Sequence, residues 1–247
     1  MKKTLLLRGL PVVVFFLLWQ LVATLVDSTL LPTPLAVFAA IVRDIDSGDL
    51  LFNLGATLAR VAVSFVIAML IGSAIGISMG RYQKADLSLD SLLVLGLNVP
   101  ALVTIILCYV WFGLGETAAI IAVVVNKVPI VVVTLREGTR AIDPRLLAVA
   151  QAYRLSRRQT LVRIYLPQLY PYLISAARNG LALIWKIVLV VELLGLSSGV
   201  GFKLYTFFQF FDITNVLAYT LTFVAVVWLV EALLMRPVER RLTRWRS

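Results

Sequence analysis

Six apolar stretches, each long enough to cross a bilayer, limit what this chain can fold into before any single residue is considered. They run over about 9–26, 55–79, 91–113, 117–135, 173–195 and 214–235, and the charged residues gather between them. A hydrocarbon core of about 30 Å is crossed by about 20 helical residues. Inside it, every backbone N–H and C=O must find an internal partner, which leaves helices or a closed barrel. The stretches show no strand-like alternation, so they read as helices. The expected fold class is therefore an all-α membrane protein of about six transmembrane helices, in keeping with 61% hydrophobic residues.

Lys and Arg in the short loops set the expected orientation. Lys2, Lys3 and Arg8 put the N-terminus inside, and Arg81 and Lys84 do the same for the second loop. The long fourth loop carries Arg136, Arg140, Arg145, Arg154, Arg157, Arg158 and Arg163, and the tail carries Arg236, Arg240, Arg241, Arg244 and Arg246. The first loop has Arg43 against Asp27, Asp44, Asp46 and Asp49, the turn at 113–116 has no basic residue, and Lys203 is nearly alone in the fifth loop. Those three belong outside, and both termini come out cytoplasmic. Arg60, near the outer end of the second span, is the one residue that cuts against the pattern. The first span also has the look of a signal peptide after Met1-Lys2-Lys3, but its length and lack of a small-x-small cleavage site favour an uncleaved span. A net charge of +10 distributed beside spans points to anionic lipid headgroups and a partner's surface, not to nucleic acid.

The fourth loop is itself patterned. Asp143 is placed to N-cap a helix that has Pro144 at its first position. Ser156 and Gln159 have capping-box spacing for a second helix, which Pro167 and Pro171 are expected to limit. A helix–turn–helix between two spans offers a face to a soluble partner. Leu146, Leu147, Val149 and Tyr153 supply apolar contacts there, beside Arg145 and Arg154.

This loop resembles the cytoplasmic coupling loop of bacterial ABC importer permeases, whose pattern is Glu-Ala-Ala, three residues, Gly, nine residues, then Ile-x-Leu-Pro. The chain keeps Ile164, Leu166, Pro167 and the second Ala, Ala150, but has Ala148 for Glu, Val149 for the first Ala and Arg154 for Gly. The Gly position suits a left-handed residue that ends the first helix. Arg held there costs about 1–2 kcal/mol, so the turn is expected to be built differently. Leu31-Pro32-Thr33-Pro34, the run from Trp111 to Glu116, Asp143-Pro144-Arg145-Leu146-Leu147, and the run from Trp185 to Gly201 extend the resemblance to nearly the whole chain. They are similar to the branch that handles nitrate, sulfonates, taurine, bicarbonate and some thiamine-precursor pyrimidines.

The resemblance implies a type I ABC importer permease fold, with coupling helices between spans four and five. It makes residues 1–247 a single transmembrane permease domain: an N-terminal span in 1–30, core spans in 50–236 and the coupling loop in 140–170. It implies a bacterial inner-membrane homodimer, two ATPase subunits on the cytoplasmic face, and a periplasmic or lipid-anchored binding protein that delivers a small anion such as a sulfonate, taurine or nitrate. The alternatives are a thiamine-precursor-like heterocycle as cargo, or an ion-coupled secondary transporter. No Gly-x-x-x-x-Gly-Lys-Ser/Thr loop is present, so ATP and Mg belong to the partner ATPase, and the chain is not expected to be an enzyme. No cofactor or metal is expected either, because there is no His and Cys108 stands alone.

Within the spans, Gly72, Gly76 and Gly80, with Ala68 a step earlier, form a flat stripe suited to close helix approach. Ionisable groups there are costly and functional by default. Lys127 beside Asn126, and Lys186 and Glu192 in the fifth span, are the candidates. Lys186 and Glu192 point to different faces of one helix, which makes Lys127 the available counter-charge for Glu192 and turns Lys186 toward a cavity. Ion pairing or snorkelling and lining of an anion pathway both remain open for this set. Asn98 is a further pathway candidate, because Pro100 frees backbone groups close by. The aromatic residues between Phe202 and Phe211 suit an interfacial belt or a contact with the external binding protein.

Overall fold

The computed structural model describes residues 2–235 and Pro237; the basic tail Arg236, Arg240, Arg241, Arg244 and Arg246 lies outside them. Eleven helices follow one another among the described residues: α1 (Lys2–Val26), α2 (Pro34–Asp46), α3 (Asp49–Arg81), α4 (Gln83–Asn98), α5 (Ala101–Phe112), α6 (Glu116–Arg140), α7 (Pro144–Ala152), α8 (Arg157–Thr160), α9 (Leu166–Gly195), α10 (Val200–Gln209) and α11 (Ile213–Val230). π-helical turns at Leu161–Tyr165 and Glu231–Met235 join α8 to α9 and extend α11.

Among the described residues, four helical stretches are long and apolar enough to cross a membrane: Asp49–Arg81, Glu116–Arg140, Arg157–Gly195 and Ile213–Leu233. One of the six expected spans takes another form. The stretch at 91–113 is not one straight helix, because α4 and α5 meet at 99° across Val99 and Pro100. Pro lacks the N–H that a continuing helix needs, and it pushes the preceding residue out of the helical region. The first expected span lies within α1, whose residues Leu10–Val26 are apolar.

Three helices form the frame. The glycine stripe of α3 lies on α6 in parallel register, with Gly72 against Val131, Gly76 against Val132 and Leu135, and Gly80 against Thr139. A Cβ at Gly76 would stand 2.6 Å from the carbonyl oxygen of Val132, so hydrogen is the largest group that fits between the two backbones. Helix α9 runs antiparallel to both, with Gly180 over Lys127 and Gly138 over Tyr172. One buried apolar cluster (Val61, Ile105, Ala122, Val123, Ile184, Val188 and Tyr219 among its members) joins α3, α5, α6, α9 and α11. A second (Val131, Leu135, Ile142, Tyr165 and Leu169) lies toward the end of the bundle that carries α7.

The short helices cover the ends. Thr33 caps α2 by accepting a hydrogen bond from the Ala36 N–H at 3.2 Å, and Pro34 occupies the first helical position. Val37 and Ala40 of α2 bury themselves against Ala218 of α11. At the α7 end, Arg136 pairs with Asp90 at 2.7 Å and Arg140 with Asp86 at 2.5 Å. These pairs tie α4 to α6 with charges that the loop pattern had assigned to topology alone.

A candidate coupling module and an intramembrane charge cluster

Two sites are built from this frame, one at each end. At the first, the Asp143 side chain accepts from the Arg145 N–H at 2.8 Å, which caps α7. The Asp143 N–H in turn donates to Gln168 Oε1 on α9 at 2.9 Å, which binds the start of α7 to that long helix. Helix α7 ends in a Schellman turn: the Leu155 N–H reaches the Ala150 carbonyl (2.9 Å) and the Arg154 N–H reaches that of Gln151 (3.0 Å). Arg154 occupies the left-handed position of that turn with φ of 50°. The expected alternative turn is therefore not used. The backbone adopts the glycine-like geometry and the side chain bears the strain.

Both halves of the Ser156–Gln159 capping box form, at 2.9 and 3.3 Å. The helix it starts does not stop at the prolines. Pro167 and Pro171 lie inside one helical rod that runs from Arg157 to Gly195. The π turn at Leu161–Tyr165 widens the backbone just ahead of Pro167, and Leu166 N–H bonds to the Leu161 carbonyl. Proline lacks the N–H of a regular helical bond, and the wider turn ahead of Pro167 is where the rod absorbs that loss.

The faces of α7 are now distinct. Ala150 is buried at 2% exposure and Leu147 is half-buried against the cluster around Ile142 and Leu169, so these two hold the helix to the bundle. Leu147 thus leaves the expected docking set. Leu146, Val149 and Tyr153 (78% exposed) face outward, beside exposed Arg145, Ala148 and Arg154. Ile164, Leu166 and Pro167 are half-buried on the rod.

At the opposite end lies a charge cluster centred on Arg60. Its Nη1 donates to Glu192 Oε1 at 2.7 Å and to the Ser198 carbonyl at 2.9 Å. Its Nε donates to Glu116 Oε2 at 2.8 Å and its Nη2 to Ser198 Oγ at 2.8 Å. Glu192, with no exposed surface, has its other oxygen held by Thr57 Oγ1 (2.9 Å) and the Gly201 N–H (2.8 Å). Asn53 Oδ1 accepts from the Gly199 N–H and Thr57 Oγ1 from that of Val200, at 2.8 and 2.9 Å. The cluster therefore staples the 198–201 turn onto α3. Gly199 has a φ of +109°, and Glu192 occupies the space where its side chain would be. A cavity of about 560 Å³ lies beside it, lined by Leu114, Glu116, Leu194, Ser197, Ser198 and Tyr205 among others.

This arrangement overturns the expected Lys127–Glu192 pair. Arg60 is the counter-charge of Glu192, because α9 runs antiparallel to α3 and brings its last turns to the N-terminal part of α3. Lys127 is fully buried, and its Nζ has no hydrogen-bond partner among the described residues. Its Cε and Nζ fill the space left by the missing side chain of Gly180. Lys186 is exposed on the flank of α9 and does not line that cavity, Asn126 is half-buried and donates to the Ala122 carbonyl, and Asn98 is exposed and donates to that of Val94. As a lone charge near a span end, Arg60 reads from sequence as a topology residue and not as a site residue. The signal was present in Asn53, Thr57, Arg60 and Ser64, which share one face of a helix inside an apolar span.

Residues 68–244 match the family described as binding-protein-dependent transport system inner membrane component. The chain belongs to that family. Among relatives of this family, the aliphatic sulfonates transport permease protein SsuC of Bacillus subtilis (strain 168) is 31% identical over 240 residues, covering 96% of this chain and 86% of its own. The taurine transport system permease protein TauC of Escherichia coli (strain K12) is 29% identical over 239 residues, covering 94% and 86%. In fold, this inner-membrane component resembles a chain of the MetNI methionine ABC transporter in an inward-facing conformation, with a TM-score of 0.62 at 20% identity over 74% of this chain and 92% of that one. The protein is thus a transport permease with the type I ABC importer fold.

Proposed function

We propose that this permease works as a homodimer with two ATPase subunits and an external binding protein, and imports a small anion of the sulfonate class. The observation that carries the coupling part is mechanical. The turn at Arg154 and the capping box join α7 to a rod that runs without a break from Arg157 to Gly195. A push on Tyr153, Val149 or Leu146 by an ATPase is delivered through that rod to Glu192 and the 198–201 turn at the far end. ATP binding draws the two ATPases together, and the rods of the two copies carry that displacement across the membrane. The permease contributes a difference in stability between its two states, because cargo shifts only an equilibrium to whose states it binds unequally.

Two features support an anionic cargo: the sulfonate and taurine transport for which SsuC and TauC are named, and a buried Lys127 with no counter-charge among the described residues. An isolated cation in a low-dielectric interior is strongly disfavoured, and an anion passing along the α6–α9 seam would relieve that cost. On this reading the α7 end faces the cytoplasm, ATP and Mg bind the partner subunits, and the cavity beside Glu116 and Ser198 faces the binding protein.

The test is co-purification with the ATPase and reconstitution of the complex in nanodiscs. ATP hydrolysis and uptake are then followed with binding protein and taurine, an alkanesulfonate or nitrate. Stimulation by the loaded binding protein is the expected result. Failure of any ATPase to bind α7 would refute the coupling reading; stimulation by a neutral heterocycle alone would refute the anion.

A further inference from the structure

A second cavity, of about 820 Å³, lies behind α7, between it and the ends of the spanning helices. Its polar lining comprises Arg81, Thr139, Gln151, Arg157, Thr160 and Tyr165, and no acidic side chain among the described residues lines it. Neither Arg81 nor Arg157 makes an ion pair among the described residues. Thr139 and Tyr165 are more than nine-tenths buried, yet neither hydroxyl has a hydrogen-bond partner among those residues. Two exposed guanidinium groups without an ion pair among the described residues thus line one cavity with two buried hydroxyls that lack a partner there, and a buried donor left unpaired is costly.

The depth of the cavity identifies the class of acceptor. Arg81 closes α3 and Arg140 closes α6, so the cavity opens at the level where spanning helices leave the hydrocarbon. Basic pockets between helices at that depth bind anionic headgroups. We propose that this cavity holds a phosphate group behind α7, supplied by an anionic phospholipid or by a free phosphate. Arg81 and Arg157 take its charge, and the hydroxyls of Thr139 and Tyr165 complete its hydrogen bonds. Leu147, Ala150 and Gln151 of α7 line the same cavity, so a bound phosphate fixes α7 against the ends of α3 and α6. Coupling then depends on the occupant of this cavity. That consequence rests on the coupling role proposed above; the binding site itself does not.

The experiment uses native mass spectrometry of the purified chain after exposure to vesicles of phosphatidylglycerol or phosphatidylcholine, with inorganic phosphate as a separate probe. Wild type should retain phosphatidylglycerol in preference to phosphatidylcholine. Arg81→Gln/Arg157→Gln should weaken that retention by about tenfold or more, and Thr139→Val/Tyr165→Phe should weaken it several-fold with unchanged elution volume and helical content. If the two lipids are retained alike but inorganic phosphate binds wild type and not the arginine variant, the group is a free phosphate. Equal retention of both probes by wild type and the arginine variant overturns the proposal, and loss of ATPase binding alone in that variant overturns it in favour of an acidic segment of the partner. Arginine-dependent lipid retention in a chain that captures no ATPase would keep the site and refute only the coupling role.

Discussion

Replacing Glu192 by Gln tests whether the cluster at the C-terminal end of α9 is held by charge or by shape. The substitution keeps the side chain's outline and removes its ionisation. The amide oxygen takes the place of Oε2, which accepts from Thr57 and the Gly201 N–H at 2.9 and 2.8 Å. The amide nitrogen then falls at the position of Oε1, 2.7 Å from Arg60 Nη1, and sets donor against donor. One charge-assisted hydrogen bond is lost, about 1.5–3 kcal/mol. Arg60 keeps Glu116 and Ser198, so no isolated buried cation remains. The expected loss of about 2–3 kcal/mol corresponds to a factor of about 30–150 in the ratio of folded to unfolded protein.

Arg60→Met is expected to cost more, about 3–5 kcal/mol, because it leaves a fully buried carboxylate without a counter-charge. The double variant Arg60→Met/Glu192→Leu should recover part of that loss, since an apolar pair removes both desolvation penalties. Recovery stays incomplete because the Gly201 N–H loses its acceptor. The assay is unfolding in mixed micelles of increasing dodecyl sulfate content, read by near-ultraviolet circular dichroism. A Glu192→Gln protein within about 0.5 kcal/mol of wild type, or an Arg60→Met single variant no less stable than the double, would refute this account.

Other perturbations have equally definite outcomes. Arg154→Gly relieves the left-handed backbone at φ 50° and should raise stability by about 1 kcal/mol, seen as a higher unfolding midpoint in the same titration. Gly76→Ala forces a Cβ to within 2.6 Å of the Val132 carbonyl oxygen and should cost about 1–3 kcal/mol, whereas Gly55→Ala, in the same helix with nothing within 4 Å, should be neutral or stabilising. Lys127→Met removes an unpartnered buried ammonium and should stabilise the protein by about 1 kcal/mol while lowering anion uptake in the reconstituted complex; stabilisation with normal uptake would remove Lys127 from the pathway. Val149→Glu, on the outward face of α7, should abolish ATPase-coupled uptake with unchanged stability, whereas Leu147→Glu, on the inward face, should lower stability itself.

Part of this protein was legible in its sequence because the governing interactions are local or set by the bilayer. The apolar spans follow from the hydrocarbon thickness, and the Asp143 cap and the Ser156–Gln159 box follow from contacts two or three residues apart. The stripe at Gly72, Gly76 and Gly80 likewise shows a face at helical spacing, although not which helix meets it. Other features were decided by tertiary structure. Arg60 and Glu192 are 132 residues apart, and only the packing of α3 against α6 and α9 makes them partners. Residue type alone nominated Lys127, which the same packing leaves without one. Pro167 carries a local stop signal that the widened turn before it absorbs, so a predicted second helix becomes the start of a long rod. At Arg154 the local preference loses outright: α7 must turn back into α8, and about 1–2 kcal/mol of backbone strain is small beside what a misdirected rod would forfeit in packing. Short-range preferences are worth a few kcal/mol at most, whereas the buried faces of α3, α6 and α9 sum over whole helices, and where the two conflict the packing decides.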